Sequence, residues 1–278
     1  MMKKVAIQGV KGAFHDIVAS EYFTSPIEIV ECSTFQELCN KLKNDECDTA
    51  VMAIENTLAG SILPNFTLLE EHGFYVVGEV YLRIKMNLMA IPGQKTQDLY
   101  EIQSHPIALL QCREYLKSLG NIHLNEINDT AEGAKILEQR NQQGIGIIAS
   151  KRAAELYNLE ILKSGIETDK KNYTRFLILS KSSTPIQRAN KASLVFVLKH
   201  EVGSLVDILT ILKCHELNMT KILSTPIIGR PYEYAFHIDL TWENKSYFDN
   251  AMDIVRRNVA KLRILGTYKQ GNKPTFED

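Results

Sequence analysis

No stretch of the 278-residue chain approaches the roughly 20 consecutive apolar residues that a membrane-spanning helix needs. Neither sign of charge dominates, since 32 Lys and Arg stand against 33 Asp and Glu. That balance gives no general attraction to nucleic acid or anionic lipid, so neither is expected as a partner. The five cysteines (Cys32, Cys39, Cys47, Cys112 and Cys214) are odd in number and contain no CxxC pair. This argues against a disulfide framework or a zinc site, and for free thiols in a reducing cytoplasm. Met-Met-Lys-Lys leads straight into the strand-like run Val5–Gly9, which is too short for a signal-peptide core. No low-complexity segment is visible. What remains, 45% hydrophobic and 23% charged residues, is the composition of an ordinary globular protein. The length suits two domains, each with its own core.

Along the first 180 residues strand-like and helix-like stretches alternate. Strands are expected at 3–9, 27–32, 48–54, 74–82, 86–91, 144–149 and 173–180, and helices at 14–23, 34–44, 61–72, 105–119, 130–141 and 150–157. Phe35, Leu38, Cys39 and Leu42, for instance, recur at helical spacing behind a possible Ser33 or Thr34 cap. The alternation predicts an α/β architecture with a mostly parallel sheet. Residues 181–191, polar and carrying Pro185, read as a linker. Residues 192–269 then follow the order strand, helix, strand, strand, helix, strand, with the second strand expected over Thr220–Ile228. That order is the ferredoxin-like βαββαβ unit. The polar tail from Gln270 is expected to fray.

Four segments place polar groups where strands meet loops. Gly9-Val10-Lys11-Gly12-Ala13-Phe14-His15 is a glycine-bearing turn before a helix, either an anion site or an ordinary βα turn. Glu55, Asn56, Thr57 and Ser61 follow the apolar run Ala50–Ile54. They stand where open α/β sheets bind ligands, or they cap the next helix and form an Asx turn at Asn56. Ser104-His105-Pro106 precedes a helix that carries Gln111, with Ser104 as its possible cap. Asn172-Tyr173-Thr174-Arg175-Phe176 opens a strand. Strand alternation puts Thr174 and Phe176 on one face and Arg175 on the other.

Taken together and in order, these segments resemble the prephenate dehydratase family, whose signatures read roughly GPxGTFS, PIEN, SHPQ, STA and TTRF. Ile147–Tyr157 is similar to that family's AAIAS…AAxxY stretch. The C-terminal unit resembles an ACT domain: Gly203-Ser204-Leu205-Val206 is like its GALV motif and Asn218-Met219-Thr220-Lys221-Ile222 like NLTKI. Leu223-Ser224-Thr225-Pro226 stands at the place of ESRP, and Gly229-Arg230-Pro231-Tyr232-Glu233-Tyr234 resembles GRPWEY.

The resemblance implies two lobes like those of type II periplasmic binding proteins, the chain crossing to the second lobe near residue 80 and returning near 160. It implies a catalytic domain over 1–180 and an ACT domain over 192–269. The implied reaction converts prephenate to phenylpyruvate with no cofactor and no metal. Thr174 would donate a hydrogen bond to the departing oxygen, with Asn56 and Glu55 beside it. Ser104, Gln111, Gly12, Phe14, Phe176 and Arg175 are implied as substrate contacts, although alternation makes a structural role for Arg175 at least as reasonable. Gly203, Ser204, Leu205, Leu217, Asn218, Met219, Thr220 and Ser224 would form an effector site for L-phenylalanine in a homodimer or homotetramer.

Several positions depart from the family pattern. Ala13 and His15 replace Thr and Ser, Ile107 replaces Gln, Asp129 replaces Ser before Thr130, and Leu223 and Thr225 replace Glu and Arg. His15 is expected to restore a donor and to tie binding to pH near the ordinary imidazole pKa of about 6.5. Arogenate dehydratase, the same chemistry on an aminated substrate, is the nearest alternative, and a non-catalytic amino-acid sensor on the same fold is another.

Overall fold

The computed structural model describes residues 2–183, 186–227 and 229–272. Its first run comprises β1 (Lys3–Gln8), α1 (Phe14–Tyr22), β2 (Ile27–Cys32), α2 (Phe35–Lys43), β3 (Thr49–Asn56), β4 (Gly60–Ser61), α3 (Leu63–His72) and β5 (Tyr75–Arg83). A second run holds β6 (Asn87–Ala90), β7 (Glu101–Ser104), α4 (Pro106–Gln111), α5 (Arg113–Ser118), β8 (His123–Glu126), α6 (Thr130–Arg140), β9 (Ile145–Ala149), α7 (Lys151–Leu156) and β10 (Glu160–Ser164). Then come β11 (Tyr173–Ser180), β12 (Lys191–Val197), α8 (Ser204–Cys214), β13 (Asn218–Pro226), β14 (Tyr234–Thr241), α9 (Lys245–Asn258) and β15 (Lys261–Tyr268).

The first sheet has the order β2-β1-β3-β11-β5, with β4 paired to β3. β1 lies parallel to both β2 and β3. Ala50–Ile54 of β3 is wholly buried, which is why it reads as an unbroken apolar run. The second sheet, β10-β6-β9-β7-β8, uses only residues between 87 and 164. β7 is parallel to β8 and β9, whereas β6 is antiparallel to β9 and β10. This sheet is therefore mixed rather than mostly parallel. The α/β fold with two lobes stands, and the third sheet completes it as β13-β14-β12-β15. All its pairings are antiparallel, as the βαββαβ order requires.

Local differences from expectation have local causes. The helix over 105–119 is broken at Cys112 into α4 and α5. The Gln111 carbonyl, which a continuous helix would use internally, accepts from Thr168 N–H at 2.8 Å. His105 rather than Ser104 caps α4, its Nδ1 accepting from Ile107 N–H at 3.2 Å. Thr34 caps α2, accepting from Glu37 N–H. Ser61 lies in β4 and does not open α3, which starts at Leu63. Thr184 and Pro185 of the expected linker, Ile228 and the tail from Lys273 lie outside the described residues. Gln270 and Gly271 are not frayed, because their N–H groups donate to Asn190 Oδ1 and Glu79 Oε1.

Internal packing divides the described chain into two units, residues 2–68 with 80–176 and residues 69–79 with 177–272. In the second unit Ala192, Leu194, Phe196, Ile238 and Leu240 form one core with buried positions of α8 and α9. Strand alternation turns Lys191, Ser193, His237, Asp239 and Arg263 to the opposite face. Segment 69–79 meets that face through polar contacts. Lys191 Nζ lies 2.9 Å from both carboxylate oxygens of Glu79. His237 Nε2 is 2.8 Å from Glu70 Oε1, and Arg263 donates to the Phe74 carbonyl at 2.7 Å. Gly266 lets β15 approach this segment, since a Cβ there would overlap the Val76 carbonyl. Lys191, read from sequence as linker, is the buried first residue of β12.

Among the described residues no helix is long and apolar enough to cross a membrane.

Candidate functional site

A cavity of about 470 Å³ opens in the first unit. The end of β1 (Gln8), the start of α1 (Phe14, His15), the end of β3 (Asn56), the start of α4 (His105), the start of α6 (Asp129, Thr130) and β11 (Thr174, Phe176) line it. This is the carboxyl end of the parallel strands β1 and β3, where α/β folds place ligands.

A polar chain fixes the Thr174 hydroxyl. Asn56 Oδ1 accepts from the backbone N–H groups of Leu58 and Ala59, both at 2.9 Å, which forms an Asx turn at Asn56. Those two donors decide which way the amide faces, so its nitrogen points inward. Asn56 Nδ2 donates to Thr174 Oγ1 at 2.9 Å, to Asn172 Oδ1 at 2.8 Å and to the Tyr173 carbonyl at 3.2 Å. Asn172 Nδ2 in turn donates to Gln111 Oε1 at 2.8 Å. Because Thr174 Oγ1 accepts from Asn56, the hydroxyl's own proton remains available to donate to another acceptor. Asn172, fully buried, belongs to a segment noted in the sequence but was assigned no role there. The available signal was its polar side chain at the opening of an apolar strand.

Other expected contacts divide between cavity and scaffold. Phe14, Gln111 and Phe176 line the cavity beside Thr174 and Asn56. Ser104 does not, as it is fully buried and its Oγ donates to the Ile148 carbonyl at 2.7 Å, tying β7 to β9. Gly12 is absent from the lining too. Its N–H donates to Asp16 Oδ2 at 2.8 Å and its carbonyl accepts from Ser150 Oγ at 2.6 Å. The anion met by this turn is thus the protein's own Asp16, which Arg152 Nε also contacts at 2.6 Å. Arg175 lies 5.9 Å from the Tyr81 ring centroid and does not line the cavity, as alternation expects. Glu55 pairs with Ser61 across β3 and β4 and likewise stays out of the lining.

His15 overturns its expectation. Buried against Phe35 and Phe176, it has a pKa pushed down to about 3 by loss of solvent. Its Nε2 accepts from Ala53 N–H at 3.4 Å, which requires the neutral ring. It brings no charge and no titration near pH 6.5 to the cavity. The consequence falls on stability instead. The unfolded imidazole takes up a proton near pH 6.5, the folded one near 3. The folded state therefore loses stability as pH falls through that window, by at most about 1.4 kcal/mol per pH unit. Urea unfolding from pH 7 to 4 is expected to show this slope, and His15→Phe to flatten it; an unchanged slope would remove His15 as its source.

In the second unit the expected effector residues line two separate depressions. Gly203, Ser204 and Leu205 border one of about 380 Å³, with Tyr232 and Tyr234. Leu217, Asn218 and Met219 border another of about 420 Å³. Thr220 and Ser224 line neither. Ser204 Oγ donates to the Lys199 and Glu201 carbonyls. Among the described residues no His, Cys, Asp and Glu cluster could hold a metal ion, and Cys32, Cys39, Cys47 and Cys112 are buried free thiols.

A family model described as prephenate dehydratase matches residues 5–184. The chain is 33% identical to an Arabidopsis thaliana protein named arogenate dehydratase/prephenate dehydratase 6, chloroplastic, over 98% of this chain and 70% of that one. The solved structure of GqqA, described as a novel type of quorum quenching acylase, is similar at 28% identity and a TM-score of 0.87. That match covers 96% of this chain and 98% of the other. A prephenate dehydratase from Arthrobacter aurescens in complex with L-Phe shares the fold at 23% identity and a TM-score of 0.86, over 96% of this chain and 89% of that one.

Proposed function

The chain belongs to the prephenate dehydratase family, a family of lyases, and from that premise we propose that it converts prephenate to phenylpyruvate. In that reaction the bond between the ring and its carboxylate breaks, and the electron pair enters the ring as carbon dioxide leaves. The ring carbon–oxygen bond breaks with it, and the hydroxyl departs as water once a proton is supplied. Aromatisation supplies the driving force, so the protein's task is to hold the substrate and ease the oxygen's departure. The observation that carries this reading is the Thr174 hydroxyl, which accepts from Asn56, keeps its own proton to donate and belongs to a residue lining the cavity. Such a positioned donor stabilises charge that develops only in the transition state. An acyl-transfer reading would need that hydroxyl beside a base, whereas the group on Thr174 Oγ1 is an amide donor.

L-phenylalanine is the proposed effector and the second unit its receptor. The motif residues divided between two depressions suit a site completed by a second copy, which favours a homodimer or a larger even assembly. The buried free thiols support a reducing compartment such as the cytoplasm. The test incubates the purified full chain with prephenate and follows phenylpyruvate, with and without L-phenylalanine. Product formed at a rate that L-phenylalanine lowers is the expected result. Absence of product from folded protein would remove prephenate as substrate, and failure to bind L-phenylalanine would remove the regulation.

A further inference from the structure

Among the described residues that line the cavity, Asp129 is the one carboxylate and none is Lys or Arg. Its Oδ1 caps α6 by accepting from Glu132 N–H at 2.8 Å. Its Oδ2 lies over Gly9, so close that a Cβ there would come within 2.5 Å of it. Capping alone does not call for a charge at this position, because serine caps a helix as well as aspartate does.

The charge has a consequence for substrate choice. Prephenate brings two carboxylates into a cavity whose described lining holds the Asp129 carboxylate, no Lys or Arg, the neutral His15 and, near Asp129, the imidazole of His105. Partial burial already works against the Asp129 charge and raises its pKa. A cation on the ligand reverses that penalty, because opposite charges in a dry cleft stabilise each other. Replacing the side-chain ketone of prephenate by an ammonium supplies such a cation and lowers the ligand's net negative charge by one. We propose that Asp129 receives an ammonium group on the substrate side chain and gives this site a preference for arogenate over prephenate. The proposal rests on the dehydratase reading and narrows its substrate.

The experiment measures kcat and KM of the full chain and of Asp129→Ser and Asp129→Asn on both compounds, scoring phenylalanine and phenylpyruvate separately. The wild type is expected to favour arogenate. Asp129→Ser is expected to lower kcat/KM for arogenate about 10- to 100-fold, mainly through KM, and to raise it for prephenate. A purely structural cap would move both substrates in the same direction and be rescued by serine, which would overturn the proposal. A wild type that prefers prephenate would also overturn it while leaving the dehydratase reading intact. Turnover of neither compound would remove both.

Discussion

Replacing Thr174 by valine is expected to lower kcat by about 10²–10⁴-fold while moving KM far less. The two side chains have nearly the same shape, and Thr174 is buried, so packing should survive the change. What disappears is the hydroxyl on which Asn56 converges and which faces the cavity. A contact that strengthens only as oxygen departs is lost from kcat, not from ground-state binding. Thr174→Ser, which returns a hydroxyl, is expected to recover part of the rate. Asn56→Ala should also slow turnover, yet cost little more in the Thr174→Val background, because its amide acts through that hydroxyl. Single-turnover measurements of product on the wild type and the four variants test this. Near-normal turnover by Thr174→Val would take Thr174 out of the mechanism, and fully additive losses would give Asn56 a separate role.

Lys191→Met is expected to destabilise the protein by about 3–5 kcal/mol, the usual cost of breaking a buried ion pair. Both side chains are essentially without solvent, and the ammonium faces both oxygens of Glu79. Removing it leaves the Glu79 carboxylate buried without that cation. The double variant Lys191→Met with Glu79→Leu is expected to recover most of the loss, since an apolar pair of similar volume is often neutral or better. Denaturant midpoints of the two single variants and the double separate the cases. A double variant as unstable as the sum of the singles would show that the pair contributes through something other than its charges.

Long elements with a clear period were legible in the sequence, and the rest failed for identifiable reasons. β3 and α2 declare themselves by an unbroken buried run and by a capped helical stripe. β8 and β10 are short, polar sheet edges that show no alternation to read. The break at Cys112 depends on Thr168, far away in sequence, competing for a helix carbonyl. The Thr174 and Arg175 faces followed from strand alternation. By contrast, the occupied hydroxyl of Ser104 and the buried neutral ring of His15 depend on neighbours from other elements. Asp129 was visible as a departure from pattern, but its meaning needed the cavity around it.

Segment 69–79 carries a lesson for modularity. The βαββαβ fold looks portable, as though residues 186–272 could be expressed alone or grafted to another enzyme. Yet one face of its sheet holds Lys191 and His237, whose recorded acidic partners, Glu79 and Glu70, come from far upstream. Cut at the linker, that face would meet water as a polar surface whose ionic complement had stayed with the other fragment. The boundary read from the sequence and the physical boundary therefore differ, and a transplantable receptor would have to carry residues 69–79 with it.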